Sequence, residues 1–166
     1  MSPSELEKYL HDHIPISKAM EVGVVQLQPE AVTLSAPLAP NINHRDTVFG
    51  GSASAVAILA AWSLLHVRLS GEGIASRLVI QSNTMSYERP IDGTFTAEAA
   101  IEDAEAWNQF LRMFRRRGKA RIKVTSVLHF CGQVAGCLEG EFVALGTTDA
   151  HPIIPPTPRN KTAQYR

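Results

Sequence analysis

The stretch NINHRDTVFGGS, Asn41 to Ser52, gathers more chemistry than any other part of the chain. Gly50 and Gly51 stand directly before SASAVAILAAWSLLHVRLS, a run that is helical by length and by its alanine and leucine content. The first N–H groups of a helix have no intrahelical partner, and the aligned peptide dipoles add partial positive charge there. Glycines at that point let another group approach the helix end closely. Such a terminus holds an anion, or a carbonyl oxygen that becomes one during acyl transfer, with Ser52 next in line as a substrate contact. The competing reading is that both glycines serve packing and Ser52 caps the helix. His44 and Asp46 lie in the same segment. An imidazole titrates near neutral pH, and a carboxylate orients it or activates water directly. The alternative is that the two merely hydrogen-bond within a tight loop.

Two other clusters invite a functional reading. Ser82, Asn83 and Thr84 interrupt an otherwise apolar strand, and polar groups in a central strand need partners. They are expected to face a cleft or to pair across a subunit interface. Arg115, Arg116 and Arg117, with Lys119 and Arg121 beyond, form a basic run that can clamp phosphates or simply end a helix in solvent. Trp107 and Phe110 read as packing residues. The 6 histidines are scattered without a metal-ligand spacing, so no metal is expected, and no G-x-S-x-G elbow supplies a serine nucleophile.

The elements that must position these groups follow from the patterning. Ser4 and Glu7 have capping-box spacing before a helix whose Leu6 and Leu10 share a face, and Pro15 ends it. Val22–Leu27 and Ala31–Pro37, separated by Gln28-Pro29-Glu30, read as a hairpin. The central helix is apolar nearly all round and should be buried on most sides. Ile74–Tyr87, Thr94–Ile101, Ala120–Phe130 and Val134–Leu145 read as strands, with a helix over Asp103–Arg117 inserted among them. This order predicts an α+β fold in which an antiparallel sheet wraps a long central helix. One domain is expected over residues 1–146, followed by a proline-rich tail, 147–166.

Length and charge bound the class. A chain of 166 residues buries a core without staples, and a formal net charge of zero argues against coating nucleic acid or an anionic membrane. Cys131 and Cys137, the 2 cysteines, sit too near each other for a useful disulfide framework and read as free thiols. The N-terminus lacks a signal-peptide core, and the apolar run near Ala53–Leu65 is shorter than the ~20 residues a span needs. A cytoplasmic location is expected.

Hairpin, then N-x-x-x-x-x-x-GG, then an apolar helix, then a strand ending Y-x-x-P, resembles a hotdog-fold thioesterase. The chain is most similar to the YiiD C-terminal type, a thioesterase domain that also occurs fused to a GNAT acetyltransferase. NINHRDTVFGGS, LVIQSNTMSYERPIDGTFTAEA, GKARIKV and EGEFVAL carry the resemblance, which spans roughly residues 15 to 146. It implies a homodimer (or tetramer) with a shared sheet and active sites at the subunit interface. It also implies that the Gly50 and Gly51 N–H groups polarise a thioester carbonyl and that Asn43 assists. One related branch keeps its catalytic carboxylate two turns into the helix, where this chain has Ile58. The YiiD-type pattern more often has glycine at the position of Asp46 and an acidic residue at that of Ser82. In this chain the carboxylate has therefore moved or been lost.

These readings converge on hydrolysis of an acyl-CoA or acyl-carrier-protein thioester, with Asn43, His44, Asp46, Gly50 and Gly51 as catalytic candidates. Ser52, Ser82, Asn83, Arg115, Arg116 and Arg117 are the substrate-binding candidates, and no cofactor is expected beyond coenzyme A as part of the substrate. The alternatives are a non-catalytic acyl-CoA-binding module and an enoyl-CoA hydratase or dehydratase on the same scaffold.

Overall fold

The computed structural model describes residues 1–101 and 103–147. The expected tail lies outside these residues except for Thr147. The elements are α1 (Pro3–His13), α2 (Pro15–Ala19), β1 (Gly23–Leu27), β2 (Ala31–Ala36), α3 (Gly50–Gly71), β3 (Ser76–Tyr87), β4 (Phe95–Ala100), α4 (Ala104–Arg117), β5 (Lys119–Phe130) and β6 (Gln133–Gly146). A 3-10 turn, Ala39–Asn41, precedes the loop that leads into α3.

α3 dictates the architecture. Val56, Leu59, Ala61, Ser63, Leu65 and Leu69 are all buried on it, and at about 100° per residue they are spread around most of its circumference. No single packed face could cover them. A six-stranded antiparallel sheet, ordered β1-β2-β4-β5-β6-β3, therefore wraps the helix, which packs on β2, β3, β4, β5 and β6. By length and composition α3 could cross a membrane, yet it is the core helix of this sheet, so it indicates no span. It also runs well beyond the apolar stretch that marks it in the sequence.

One stripe of α3 escapes the sheet: Ser54, Ile58, Trp62 and His66, four residues apart, are only half-buried. α1 covers its lower end by stacking. His13, Tyr9, His66 and Trp62 form a column with successive ring centroids 4.1, 4.7 and 4.7 Å apart. Trp62 is fixed further by its indole N–H, which donates to Leu78 O at 3.1 Å. Leu6 and Leu10 seat α1, as their spacing predicts. The capping box, however, uses Ser2 and Glu5 rather than Ser4 and Glu7, because Pro3 occupies the first helical position. Pro15 both ends α1 and opens the short α2, which the patterning does not signal.

The two sheet edges are treated differently. At β1 the Glu7 carboxylate accepts from Val24 N–H at 3.0 Å and His11 donates to Val22 O at 2.8 Å, so α1 covers that edge. β3, the other edge, runs for 12 residues and is mostly exposed. This corrects the expectation that Ser82, Asn83 and Thr84 sit in a central strand. Within one chain the strand is terminal, and their side chains face solvent. At the far end α4 buries Trp107, Phe110, Leu111 and Phe114 and stops at Gly118, which is left-handed at φ 65°.

The aromatic column gives the fold an acid-sensitive joint. Burial, reinforced by the charge of nearby His13, holds the His66 pKa below its usual value of 6.5. The unfolded chain therefore takes up this proton more readily than the folded one. The His66 contribution is intact above about pH 6.5 and is lost as pH falls through that value. His66→Phe, which keeps a ring but cannot titrate, should show a smaller fall in urea midpoint between about pH 7 and pH 5 than the wild type.

Candidate active site

The loop before α3 is built around two asparagines. Asn41 is buried, and its amide donates to Met20 O at 3.0 Å and Pro37 O at 2.8 Å, which pins the loop to the body of the domain. Asn43 organises the loop itself. Its amide donates to Thr47 Oγ1 at 3.0 Å and to Val48 O at 3.4 Å, and its Oδ1 accepts from the N–H groups of Arg45 and Thr47. Both amide hydrogens are thus engaged inside the loop. Asn43 shapes this segment, and in this conformation has no hydrogen left for an external carbonyl.

The same fold of the loop places Asp46 at φ 59°, a left-handed conformation in which Asp is better tolerated than most residues. Glycine at this position would adopt it without strain, so the glycine of the related pattern has a backbone reason. Asp46 and His44 are both exposed, and neither side chain makes a hydrogen bond to another described residue. Neither a His44–Asp46 pair nor a hydrogen bond that ties these side chains into the loop is formed in this conformation. Each group is free to meet a ligand.

The loop hands the chain to α3 through Val48, which donates to Ile91 O, and Phe49, which donates to Asn41 O, both at 2.7 Å. Phe49 is the N-cap, and no side chain caps the helix. Ser52 lies inside the first turn, so it does not act as the cap. The first helical bond of this turn is made by Ala53 N–H to Phe49 O at 3.0 Å, which leaves the N–H groups of Gly50, Gly51 and Ser52 ahead of it. The Phe49 ring folds across Gly51 so closely that a Cβ there would overlap it. Tyr87, at the end of β3, donates its hydroxyl to Gly50 O at 3.0 Å, and a Cβ on Gly50 would touch its ring at 3.4 Å. The Phe49 ring therefore crowds Gly51, whereas a side chain on Gly50 would meet Tyr87 at ordinary contact distance. Packing and an open N-terminus are both true of them.

A groove of about 260 Å³ reaches this helix start, lined by Gly50, Ala53, Tyr87, Glu88, Arg89 and Ile91 among others. Glu88 and Tyr87 are residues that the motif reading overlooked. The available signal was the Y-x-x-P strand ending, which contains both. Ile58 lies two turns along α3 on the stripe left open by the sheet, half-buried and without acid–base capacity.

The remaining candidates lie elsewhere. Ser82 and Asn83 line a separate polar groove of about 290 Å³ with Lys123, Glu139 and Glu141. They are about 13–17 Å along β3 from Tyr87 at roughly 3.3 Å per residue. Arg115 is paired with Glu72 at 2.9 Å, beside the C-terminal end of α3. Since α3 has 22 residues, the Arg115–Arg117 run stands roughly 30 Å from Gly50 in the same chain. One chain does not bring the basic run and the helix start together. Among the described residues no cluster of His, Cys, Asp and Glu is arranged to hold a metal ion.

The chain belongs to the YiiD C-terminal family of putative thioesterases. The match to this family covers residues 3–146. Among solved structures, the chain is similar to a protein of unknown function from Chlorobaculum tepidum, with 29% identity and a TM-score of 0.82 over 87% of this chain and 94% of that one. A putative thioesterase from Shewanella oneidensis matches at 24% identity and a TM-score of 0.77, covering 86% of this chain and 96% of that one. A thioesterase from Haemophilus influenzae matches at 10% identity and a TM-score of 0.72, covering 91% and 95%. The last two speak for the fold, which is the hotdog fold.

Because Asn43 holds the loop from inside, its loss should be felt in stability as well as at the site. Asn43→Ala removes up to four hydrogen bonds and should destabilise the domain by about 1–3 kcal/mol, read from urea unfolding. An unchanged midpoint would show that the loop keeps its shape without them.

Proposed function

We propose that this protein hydrolyses an acyl thioester whose carbonyl lies against the start of α3. The observation that carries this reading is the uncapped α3 N-terminus at Gly50 and Gly51, open to a groove, in a chain of a thioesterase family. The carbonyl oxygen accepts from N–H groups of the first turn, where the helix dipole favours the negative charge that develops as water attacks. A carboxylate takes the proton from water, and the tetrahedral intermediate collapses. The C–S bond breaks, and the proton passes to the leaving sulfur, giving a carboxylic acid and a thiol. No cofactor enters the balance.

Asp46 is the proposed base, because it is exposed and unengaged in the loop that Asn43 shapes. Glu88 has its own claim, since it lines the groove with Gly50. The site is completed by a second copy. Among the described residues nothing pairs with the outer edge of the 12-residue β3; Tyr87 and Val79 on it are exposed, and Phe49 and Ile42 beside the helix start are exposed as well. A homodimer joined along β3 would cover them and close the groove over the thioester. Light scattering at micromolar concentration should report a dimer or tetramer, and a monomer would exclude this arrangement.

Hydrolysis of an acyl-CoA panel tests the reaction. Asp46→Asn should lower turnover by roughly 10²–10⁴ without dissociating the assembly, whereas Glu88→Gln should cost no more than about tenfold. The reverse ranking would assign the proton transfer to Glu88. A His44→Ala loss comparable to that of Asp46→Asn would mean that the two act as a pair. A wild type that binds acyl-CoA and turns over none of the panel would make the protein a binding module instead.

A further inference from the structure

A second, roomier groove lies away from the helix start. β4 pairs with β5 only from Thr96 opposite His129 to Ala100 opposite Thr125, so among the described residues the Lys119–Val124 half of β5 has no strand on that side. α4 lies there instead, and a groove of about 810 Å³ opens between them. Its α4 wall is mostly apolar, with Ala106, Phe110 and a partly exposed Met113 beside the amide of Gln109. Its rim is basic: Arg117 ends α4, and Lys119, Arg121 and Lys123 alternate along β5. The charge pattern separates these residues from their neighbours. Arg112 and Arg115 on the same helix are paired with Glu105 and Glu72. Among the described residues, none of the four rim cations forms an ion pair, although Lys123 also borders the polar groove that holds Glu139 and Glu141.

We propose that this groove binds the 3′-phosphorylated adenosine diphosphate end of coenzyme A. The volume is that of a small-molecule site. The flat base lies against Phe110 and Met113, which also accounts for a methionine left open beside a buried ring. A diphosphate bridge and a 3′-phosphate carry roughly four negative charges, matching the four free cations; a fatty-acid carboxylate carries one. The assignment rests on the thioesterase reading for its choice of carrier, and it favours a CoA ester over a protein-borne one. It also moves the phosphate contacts from Arg115 and Arg116, which do not line the groove, to Arg117, Lys119, Arg121 and Lys123.

The distance from Gly50 then becomes informative. At roughly 30 Å along α3, the groove of one chain is beyond the reach of a pantetheine arm from its own helix start. A two-fold pairing of β3 edges places the Ser76 end of one copy beside the Tyr87 end of the other. Arg77 aligns with Leu145 and Leu145 with Lys119, so the groove lies two strand spacings, about 10 Å, in from that edge. The nucleotide held by one copy therefore serves the helix start of the other.

Titration calorimetry of the intact oligomer with coenzyme A tests this without any turnover. The wild type should bind coenzyme A, and 3′-dephospho-coenzyme A more weakly. Arg121→Glu combined with Lys123→Glu should weaken binding by at least about tenfold, and the Gln pair by less. Arg116→Glu combined with Lys18→Glu makes the same change in net charge away from the groove and should leave affinity unaltered. Equal affinity in the groove variant, equal loss in the control pair, or failure of the wild type to bind coenzyme A would each overturn the proposal, as would binding of an acidic carrier protein alone. Hydrolysis of an acyl-pantetheine, which lacks the nucleotide, reports on the thioesterase reading separately and should be unaffected by the groove variants.

Discussion

The structure depends on one constraint, the burial of a helix that has almost no polar face. α3 can satisfy its side chains only if apolar surface meets it from several directions, and a curved antiparallel sheet is the economical way to supply that. Its backbone imposes the opposite demand at one end. The N–H groups of the first turn cannot be satisfied within the helix, and no side chain caps them. A buried helix with an open polar start is a place where a carbonyl or an anion is welcome, so the fold and the site share one cause.

The aromatic rings around that start reconcile the two demands. Phe49 and Tyr87 press on Gly51 and Gly50, and Tyr87 ties the end of β3 to the helix through Gly50 O. These contacts shield the backbone of the first turn without using its donors, since the tyrosine engages a carbonyl rather than an N–H. Asn43 works in a similar way one step back. It holds the loop through its own side chain and leaves Asp46 and His44 outside, unengaged. The residue that shapes the loop and the titratable side chains that stand out from it are therefore different.

The two sheet edges carry the same logic to a larger scale. At β1, Glu7 and His11 of α1 occupy backbone groups that would otherwise invite another strand. At β3 nothing of the kind is present among the described residues, although the strand is long and leads directly to Tyr87 and Glu88. The half-edge of β5 is a third case, shielded by α4 at enough distance to leave a groove rather than a seal.

Much of this was legible in the sequence. The hairpin, the buried helix, the four later strands and the inserted α4 follow from periodicity and from glycine and proline punctuation, because those signals act over a few residues. The Asn41–Ser52 segment announced itself through residue types that have little reason to cluster except at a helix start. What the sequence could not express was order across the sheet. Ser82, Asn83 and Thr84 look anomalous in a central strand and are unremarkable at an edge, and strand order is decided by which edges close around α3, not by any local pattern. The inward turn of Asn43, the approach of Tyr87 and Glu88 to Gly50 across 37 residues of chain, and the separation of Arg115–Arg117 from the helix start are long-range facts of the same kind. Residue types and spacing set the elements and named the loop; only the closure of the sheet around α3 decided which side chains meet there.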